Sequence, residues 1–208
     1  NNGDGTFTNV TVLAGVGNGL AQSFQSTFID IDLDGHLDLH VINDRVDYPN
    51  VFYKNNGDGS FTDRATDWEV NLTILAMSSS FSDYDRDGDM DLYVSNGSNG
   101  NYLLRNNLNT HGNFENIAVQ EEVEVGQISW GASWFDHNND TWPDLYIATG
   151  ITMYTEIPLV FDDYGYQPNQ FFINDGWTPM TNASLSTPLN DQYSFAVATG
   201  DYNNDGFP

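Results

Sequence analysis

Short apolar stretches alternate with polar turns along the whole chain. The clearest case follows an acidic stretch, where every second residue is apolar over Leu37, Leu39 and Val41, and the same pattern returns at Met90, Leu92 and Val94 and at Leu145 and Ile147. A period of two is typical of a β-strand with one buried face. No stretch combines helix caps with an apolar stripe three turns long. The pattern therefore predicts an all-β protein.

The same motifs return at nearly constant spacing. Acidic stretches begin at Asp30, Asp83, Asp136 and Asp201, which are 53, 53 and 65 residues apart. The motif Asn-Gly-Asp-Gly-Thr-Phe-Thr at residues 2–8 returns with one substitution at residues 56–62 and in weaker form at residues 112–115 and 174–178. A period of about 50 residues built from short strands indicates the blades of a β-propeller.

Each unit is predicted to contain four strands, with Asn-Gly and Asp-Gly turns between the third and the fourth. The first strands are predicted at residues 23–29, 77–82, 130–135 and 195–200, and one fourth strand at 60–65. We predict a single repeat domain over residues 1–208, a partial propeller. It divides into the end of a preceding blade with its connector (1–22), three blades (23–76, 77–129, and 130–194 with an insertion at 151–169) and the start of another (195–208).

The predicted first strands pair one large apolar residue with small ones. Phe24, Met77, Trp130 and Phe195 each stand six residues before an acidic stretch, and small or medium residues follow them. Such strands suit the crowded centre of a propeller, where the large side chains fill the space between blades. The alternative is that these serine-rich strands are exposed sheet edges.

The charge balance excludes several classes of partner. Five Lys and Arg stand against 30 Asp and Glu, which gives a net charge of −25. Such a chain cannot neutralise phosphates, so we expect no nucleic-acid binding and no polybasic docking to membranes. Cysteine is absent, which excludes disulfides and thiolate chemistry. No apolar run approaches the ~20 residues of a membrane span, and we expect no membrane insertion.

The acidic stretches have the composition of calcium loops. They hold 14 of the 24 aspartates, whereas the whole chain has six glutamates. Side-chain oxygens at positions 1, 3, 5 and 9 and a backbone carbonyl at position 7 would supply the hard oxygen shell that Ca²⁺ accepts. We predict one ion per loop, in three complete loops and one that stops before its closing acid. The predicted ligands are Asp30, Asp32, Asp34, His36 and Asp38; Asp83, Asp85, Asp87, Asp89 and Asp91; Asp136, Asn138, Asp140, Trp142 and Asp144; and Asp201, Asn203 and Asp205.

The acidic stretches have two alternative interpretations, magnesium loops and turns without any ion. Mg²⁺ prefers to keep several waters, which five protein oxygens would displace. Asp-Gly clusters can also form turns whose side chains cap their own backbone, without any ion. We expect the third loop to bind more weakly, because Asn138 replaces a carboxylate and Thr141 replaces the turn glycine. The loops are not EF-hands, since the closing acid stands at position 9 and a strand follows.

These residues resemble the FG-GAP/VCBS family of β-propeller repeats, and most closely its branch with cartilage acidic protein and the ASPIC/UnbV-containing proteins. The resemblance is carried by residues 81–96, which contain the D-x-D-x-D-G-x-x-D-L loop, by the turn at 55–63 and by the connector at 7–17. It implies a propeller, commonly seven-bladed, on secreted or cell-surface proteins that mediate adhesion or ligand binding. Because the sequence opens at the turn before a fourth strand and ends within an acidic loop, we expect it to be a partial arc accompanied by other blades of a longer secreted protein.

The sequence is compatible with two functions. The first is a non-catalytic, calcium-stabilised extracellular module that binds a protein or glycan, and the second is the propeller portion of a secreted polysaccharide-degrading lyase or hydrolase. His36 and His40 could form a transition-metal pair, and the alternative is that both occupy ordinary strand positions. The predicted ligand contacts lie in the long insertion, which could equally be surface decoration: Tyr154, Asp162, Asp163, Tyr164 and Tyr166.

Overall fold

Each of the three complete repeats folds as one four-stranded antiparallel sheet in the computed structural model, which describes residues 1–97, 99–150, 168–184 and 194–206. The strands pair in chain order, so that the first and fourth form the two edges. The elements are a short helix α1 (Thr11–Ala14); β1 (Gln22–Ile29), β2 (Asp38–Asp44), β3 (Val51–Asn55) and β4 (Phe61–Asp63); β5 (Ser79–Ser82), β6 (Asp91–Val94), β7 (Tyr102–Asn106) and β8 (Phe114–Asn116); and β9 (Ser129–Phe135), β10 (Asp144–Thr149), β11 (Gln170–Ile173) and β12 (Thr181–Asn182).

The apolar core lies between neighbouring sheets, as expected for propeller blades. Ile42 and Phe52 of the first sheet pack with Leu92 and Leu104 of the second in one cluster. A second cluster joins the second and third sheets in the same way. The all-β prediction and the partial propeller of four-stranded blades are therefore confirmed. Within the described ranges, no helix is both long and apolar enough to cross a bilayer.

The first strands of neighbouring blades lie side by side. The Gln25 side chain accepts a hydrogen bond from the Ser79 N–H and donates one to the Ser79 carbonyl, each at 2.9 Å. A Cβ on Gly131 would lie 3.2 Å from the Ala196 Cα, so the small residue permits a close approach of two backbones. The residues of β5 and β9 are buried or half-buried, as expected for strands packed between blades, whereas most residues of β1 are exposed.

The large residues beside these strands differ in burial. Met77 is buried, and the rings of Trp130 and Phe195 meet edge to face at a centroid distance of 5.0 Å. Phe24, which lies at an irregularity of β1, is 55% exposed. Residues 195–200, one of the predicted first strands, form no strand. No described segment pairs with them as a second strand, whereas β1, β5 and β9 pair with β2, β6 and β10.

Asparagines at the start of the third strands connect successive blades. The side-chain amide of Asn101 donates to the Ser129 hydroxyl at 2.9 Å, and that of Asn169 donates to the Ser194 hydroxyl at 3.0 Å. Both serines stand seven residues before their acidic loops, where the second blade carries Ala76. Ala76 has no hydroxyl to accept a hydrogen bond from the Asn50 side-chain amide, and the Asn50 amide nitrogen is buried without a partner among the described residues.

Substituting Ala76→Ser is therefore expected to raise the free energy of unfolding by about 0.5–1.5 kcal/mol, the usual contribution of one hydrogen bond. The hydroxyl would give the Asn50 amide the partner that Asn101 and Asn169 already have. Urea denaturation measures the change, and Ser129→Ala should shift stability in the opposite direction. A destabilised Ala76→Ser variant would show that the two sites are not equivalent.

Candidate metal centre

The four acidic loops share one backbone conformation. Position 4 is left-handed in each of them, with φ between 58° and 61° at Leu33, Arg86, Asn139 and Asn204. Position 6 has positive φ as well, which Gly35, Gly88 and Gly206 adopt without strain. These two turns bring the first and the last acids of a loop together across a short segment.

The first carboxylate of each loop caps the loop's own backbone. Asp30 accepts hydrogen bonds from the N–H groups of Asp34 at 3.0 Å and Gly35 at 2.9 Å. Asp136 and Asp201 accept the equivalent pairs, and Asp83 accepts one from Gly88 at 3.2 Å. The capping proposed as the alternative to an ion is thus present, although it leaves other carboxylate oxygens without partners.

The closing acids Asp38, Asp91 and Asp144 are buried where the second strands begin. One oxygen of Asp91 accepts the N–H of Tyr84 at 3.2 Å, and the other accepts the N–H of Asn106 at 2.8 Å. Asp38 and Asp144 make the same two bonds to their own loops and third strands. Burial raises the pKa of Asp91 to about 8, and burial also raises the pKa of Asp38.

In the second and third blades, an asparagine then connects the closing acid to the preceding blade. Asn106 donates its side-chain amide to the carbonyl of Ile31 in the first loop at 3.1 Å, and Asn174 donates to the carbonyl of Tyr84 in the second loop at 2.7 Å. The N–H groups of Ile31 and Tyr84 in turn donate to Asp38 and Asp91. One hydrogen-bonded series therefore connects the closing acids of three blades.

Two loops gather three carboxylates each. Oxygens of Asp30, Asp32 and Asp38 lie within 4.8 Å of one another, and so do those of Asp83, Asp85 and Asp91. Buried oxygens of Asp32 and Asp83 have no hydrogen-bond partner among the described residues. Burial and then the neighbouring Asp87 raise the pKa of Asp85, which is the expected response of a carboxylate placed beside others. Both clusters could hold a metal ion, and their all-oxygen donor set fits a hard cation.

The remaining acids predicted as ligands in these two loops are not members of the three-carboxylate clusters. Asp34 pairs with the ammonium of Lys54 at 2.7 Å, a residue that also contacts Asp32. This hydrogen bond from Lys54 lowers the pKa of Asp34. Asp87 is exposed and accepts the N–H of Asp89 at 3.2 Å. Lys54 is not among the predicted site residues, and its one signal in the sequence is a cation just before the asparagine that ends β3.

The position-7 residues differ in where their side chains lie. His36 stands over the β3–β4 turn, where a Cβ on Gly57 would come within 2.8 Å of its Nε2, and Trp142 stands over the equivalent turn at Gly176. Asp89 is buried, and this burial raises its pKa to about 6. Coordination through the backbone carbonyls of these residues stays a prediction. His40 is buried between Phe52 and Phe81, with no hydrogen-bond partner for either ring nitrogen among the described residues, whereas His36 is exposed.

The third and fourth loops are closed by internal hydrogen bonds. In the third loop the Asn138 amide donates to Asp140 at 2.8 Å, and Nδ1 of His137 lies 2.6 Å from the closing acid Asp144. In the fourth loop the Asn203 amide donates to Asp205 at 2.8 Å. These contacts occupy oxygens that are predicted to bind an ion. They are consistent with weaker binding at the third loop, which stays a prediction.

Thr141 adopts a backbone conformation that disfavours its side chain. Its φ is 76° at the position where the other loops have glycine, and its hydroxyl accepts a hydrogen bond from Arg86 of the preceding loop at 2.7 Å. A β-branched residue with left-handed φ costs roughly 1–2 kcal/mol. The hydrogen bond between Arg86 and Thr141 joins two blades, and a glycine at this position could not accept it.

Substituting Thr141→Gly is expected to stabilise the protein by roughly 0.5–1 kcal/mol, because the relief of strain exceeds the added entropy of the unfolded chain and the loss of one exposed hydrogen bond. Thermal and urea unfolding measure this change. Thr73→Gly is the matched control, since Thr73 is exposed and lacks positive φ. It should lose stability, and equal losses in the two variants would refute the assignment of strain.

The predicted ligand contacts Tyr154, Asp162, Asp163, Tyr164 and Tyr166 lie outside the described residues, so their role stays a prediction.

Comparison with known proteins bears on the repeats themselves. A search among curated proteins gave no match. The family model described as FG-GAP-like repeat matches residues 30–94 and 83–147, each match running from one acidic loop through the next. The two matches together span more than half of the chain and include both carboxylate clusters. The chain therefore belongs to the FG-GAP-like repeat family.

Proposed function

We propose that the chain is a calcium-stabilised, non-catalytic propeller module that binds a protein or glycan ligand outside the cell. The observation that carries the proposal is the pair of equivalent carboxylate clusters in successive blades. Three carboxylates within 4.8 Å repel one another strongly unless cations neutralise them, and in the first cluster the Lys54 ammonium contacts one of the three, Asp32. The fold retains this arrangement twice, at the same loop positions.

Several features favour Ca²⁺ as the ion. The clusters contain only carboxylates, and the chain has no cysteine to bind a softer metal. Ca²⁺ tolerates an irregular shell of six to eight oxygens, whereas Mg²⁺ demands near-ideal octahedral geometry. Extracellular calcium modules work with Kd of about 10⁻⁴–10⁻³ M, a range in which such exposed loops are filled outside the cell.

Titration calorimetry with Ca²⁺ and Mg²⁺ tests the proposal. Ca²⁺ is expected to bind at two or more sites and more tightly than Mg²⁺. Asp83→Asn should remove one site, whereas Asp58→Asn should remove none, because Asp58 lies in the β3–β4 turn and bonds to Ser60 instead. An absence of Ca²⁺ binding up to millimolar concentrations would refute the proposal.

The non-catalytic part of the proposal rests on the family and on the site. Repeats of this family are generally non-catalytic. The acids of the described residues are concentrated in the loops, where backbone bonds and the proposed ions use their oxygens. His40, the most deeply buried imidazole, is enclosed by aromatic rings, and burial lowers its pKa to about 3. No observation on the described residues favours the lyase or hydrolase alternative.

A further inference from the structure

A small cavity lies between the second and third blades, beside the second acidic loop. Its volume is about 160 Å³, and its walls come from both blades. The second blade contributes Asp85, Arg105 and Glu121, and the third contributes Trp142, Trp177 and Thr178. Pockets that bury a whole drug-sized ligand measure ~300–1,000 Å³, so this cavity has room for a single small ring.

Two tryptophans form the aromatic wall of the cavity. The Arg86 guanidinium lies 5.1 Å from the centre of the Trp142 ring, and a Cβ on Gly176 would come within 2.6 Å of the same indole. Trp142 is therefore held in place by a cation–π contact and by a position that needs glycine. Trp177 follows directly and is 77% exposed, although large aromatic side chains usually bury their surface.

The turn that carries Trp177 is fixed by its own backbone bonds. Asn174 accepts the N–H of Gly176 at 3.1 Å, and Asp175 accepts the N–H of Trp177 at 3.1 Å. The exposed indole is thus presented by an ordered turn, and binding would cost little further ordering of the protein. An exposed tryptophan on such a turn, beside a polar cavity, suits stacking against the apolar face of a ligand.

The polar wall of the cavity combines hydrogen-bond donors with acceptors. Asp85 and Glu121 supply carboxylates, and Glu121 is buried and accepts the Thr178 hydroxyl at 3.0 Å. Arg105, which pairs with Glu115, also lines the cavity, and Arg86 lies over the Trp142 ring. An anion would meet the two carboxylates, and a cation would meet the Arg105 guanidinium. A neutral ligand rich in hydroxyls can bond to both kinds of group.

We propose that this cavity, bounded by Trp142 and Trp177 and by the polar groups of Asp85, Arg105 and Glu121, binds one pyranose ring of a glycan. The inference rests on the proposed function, of which it names the ligand class and the site. Asp85 also belongs to the second carboxylate cluster, so a cation bound there fixes one wall of the sugar site. Glycan binding at this cavity is accordingly calcium-dependent.

The test is a titration of the whole 208-residue chain in Ca²⁺ with methyl glycosides of glucose, galactose, mannose and N-acetylglucosamine, followed by the five indole N–H signals in NMR spectra. At least one glycoside is expected to shift the signals of Trp142 and Trp177, but not that of the buried Trp68, with a Kd of about 1–10 mM, as befits one small polar ligand. Trp177→Ala should weaken this binding tenfold or more. Phe7→Ala removes another exposed aromatic residue, far from the cavity in sequence, and should leave binding unchanged.

Three outcomes overturn the inference. If no glycoside shifts these signals while Ca²⁺ still raises the melting temperature, the sugar site is wrong and the proposed calcium module stands. If glycosides bind equally well to Trp177→Ala, the site lies elsewhere. If Nα-acetyl-lysine amide, which keeps its charged ε-ammonium, shifts the same signals and the glycosides do not, the cavity binds a cationic side chain of a protein. A melting temperature that Ca²⁺ leaves unchanged counts instead against the proposed function.

Discussion

Chelation of divalent cations is expected to lower the melting temperature by roughly 6–11 °C. If free Ca²⁺ is tenfold above Kd, each site contributes about 1.4 kcal/mol, and the two carboxylate clusters together contribute about 2.8 kcal/mol. In a domain of about 200 residues, 1 kcal/mol corresponds to roughly 2–4 °C. Differential scanning calorimetry in Ca²⁺ and in EDTA measures the shift.

The double variant Asp30→Asn, Asp83→Asn provides the control for chelation. It lacks one carboxylate charge in each cluster, so its melting temperature should respond little to EDTA. Mg²⁺ added in place of Ca²⁺ should restore only part of the loss, because the clusters favour a larger and less regular oxygen shell. Identical melting curves of the native chain with and without chelator would contradict a structural role for the ion.

Asp91→Ala is expected to be the most damaging single substitution in the loops, with a loss of about 2–5 kcal/mol in the free energy of unfolding. The buried carboxylate receives two backbone N–H groups, those of Tyr84 and Asn106, and its removal leaves both unsatisfied. Urea denaturation in EDTA isolates this loss from any loss of metal. A further difference between Asp91→Ala and the native chain should emerge in Ca²⁺.

Asp87→Ala is the matched comparison for Asp91→Ala. Asp87 lies in the same loop, but it is exposed and stays outside the carboxylate cluster. We expect it to cost less than about 1 kcal/mol in EDTA, as surface substitutions usually do. Equal losses in the two variants would mean that the buried hydrogen bonds of Asp91 contribute little to stability.

The fold could be predicted because its determinants are local and repeated. Alternating apolar residues, glycine turns and the 53-residue period define strands and blades without reference to distant contacts. The grouping of Asp30 with Asp38 follows from the turns of one nine-residue loop. The absence of a strand at residues 195–200 could not be read from their composition, because a strand depends on its hydrogen-bonded neighbour.

The parts of the site that escaped prediction involve residues far apart in the chain. Lys54 reaches a loop about 20 residues upstream, and Arg86 contacts Thr141 of the next blade. Trp142 and Glu121 border one cavity from different blades. Such contacts depend on the angle and distance between blades, which the repeat pattern leaves undetermined. Position within a repeat gives the role of a residue in its own loop but not its partner across the interface.

The hydrogen-bonded series through Asn106 and Asn174 has a mechanical consequence. Each asparagine joins the closing acid of its own blade to a loop carbonyl of the preceding one, so the loops of all three blades form one continuous rim. A blade cannot tilt away from its neighbour without breaking a bond that also positions an acid. A force that pulls the blades apart would consequently be distributed over all three blades. The rim would therefore resist separation at any one interface between blades.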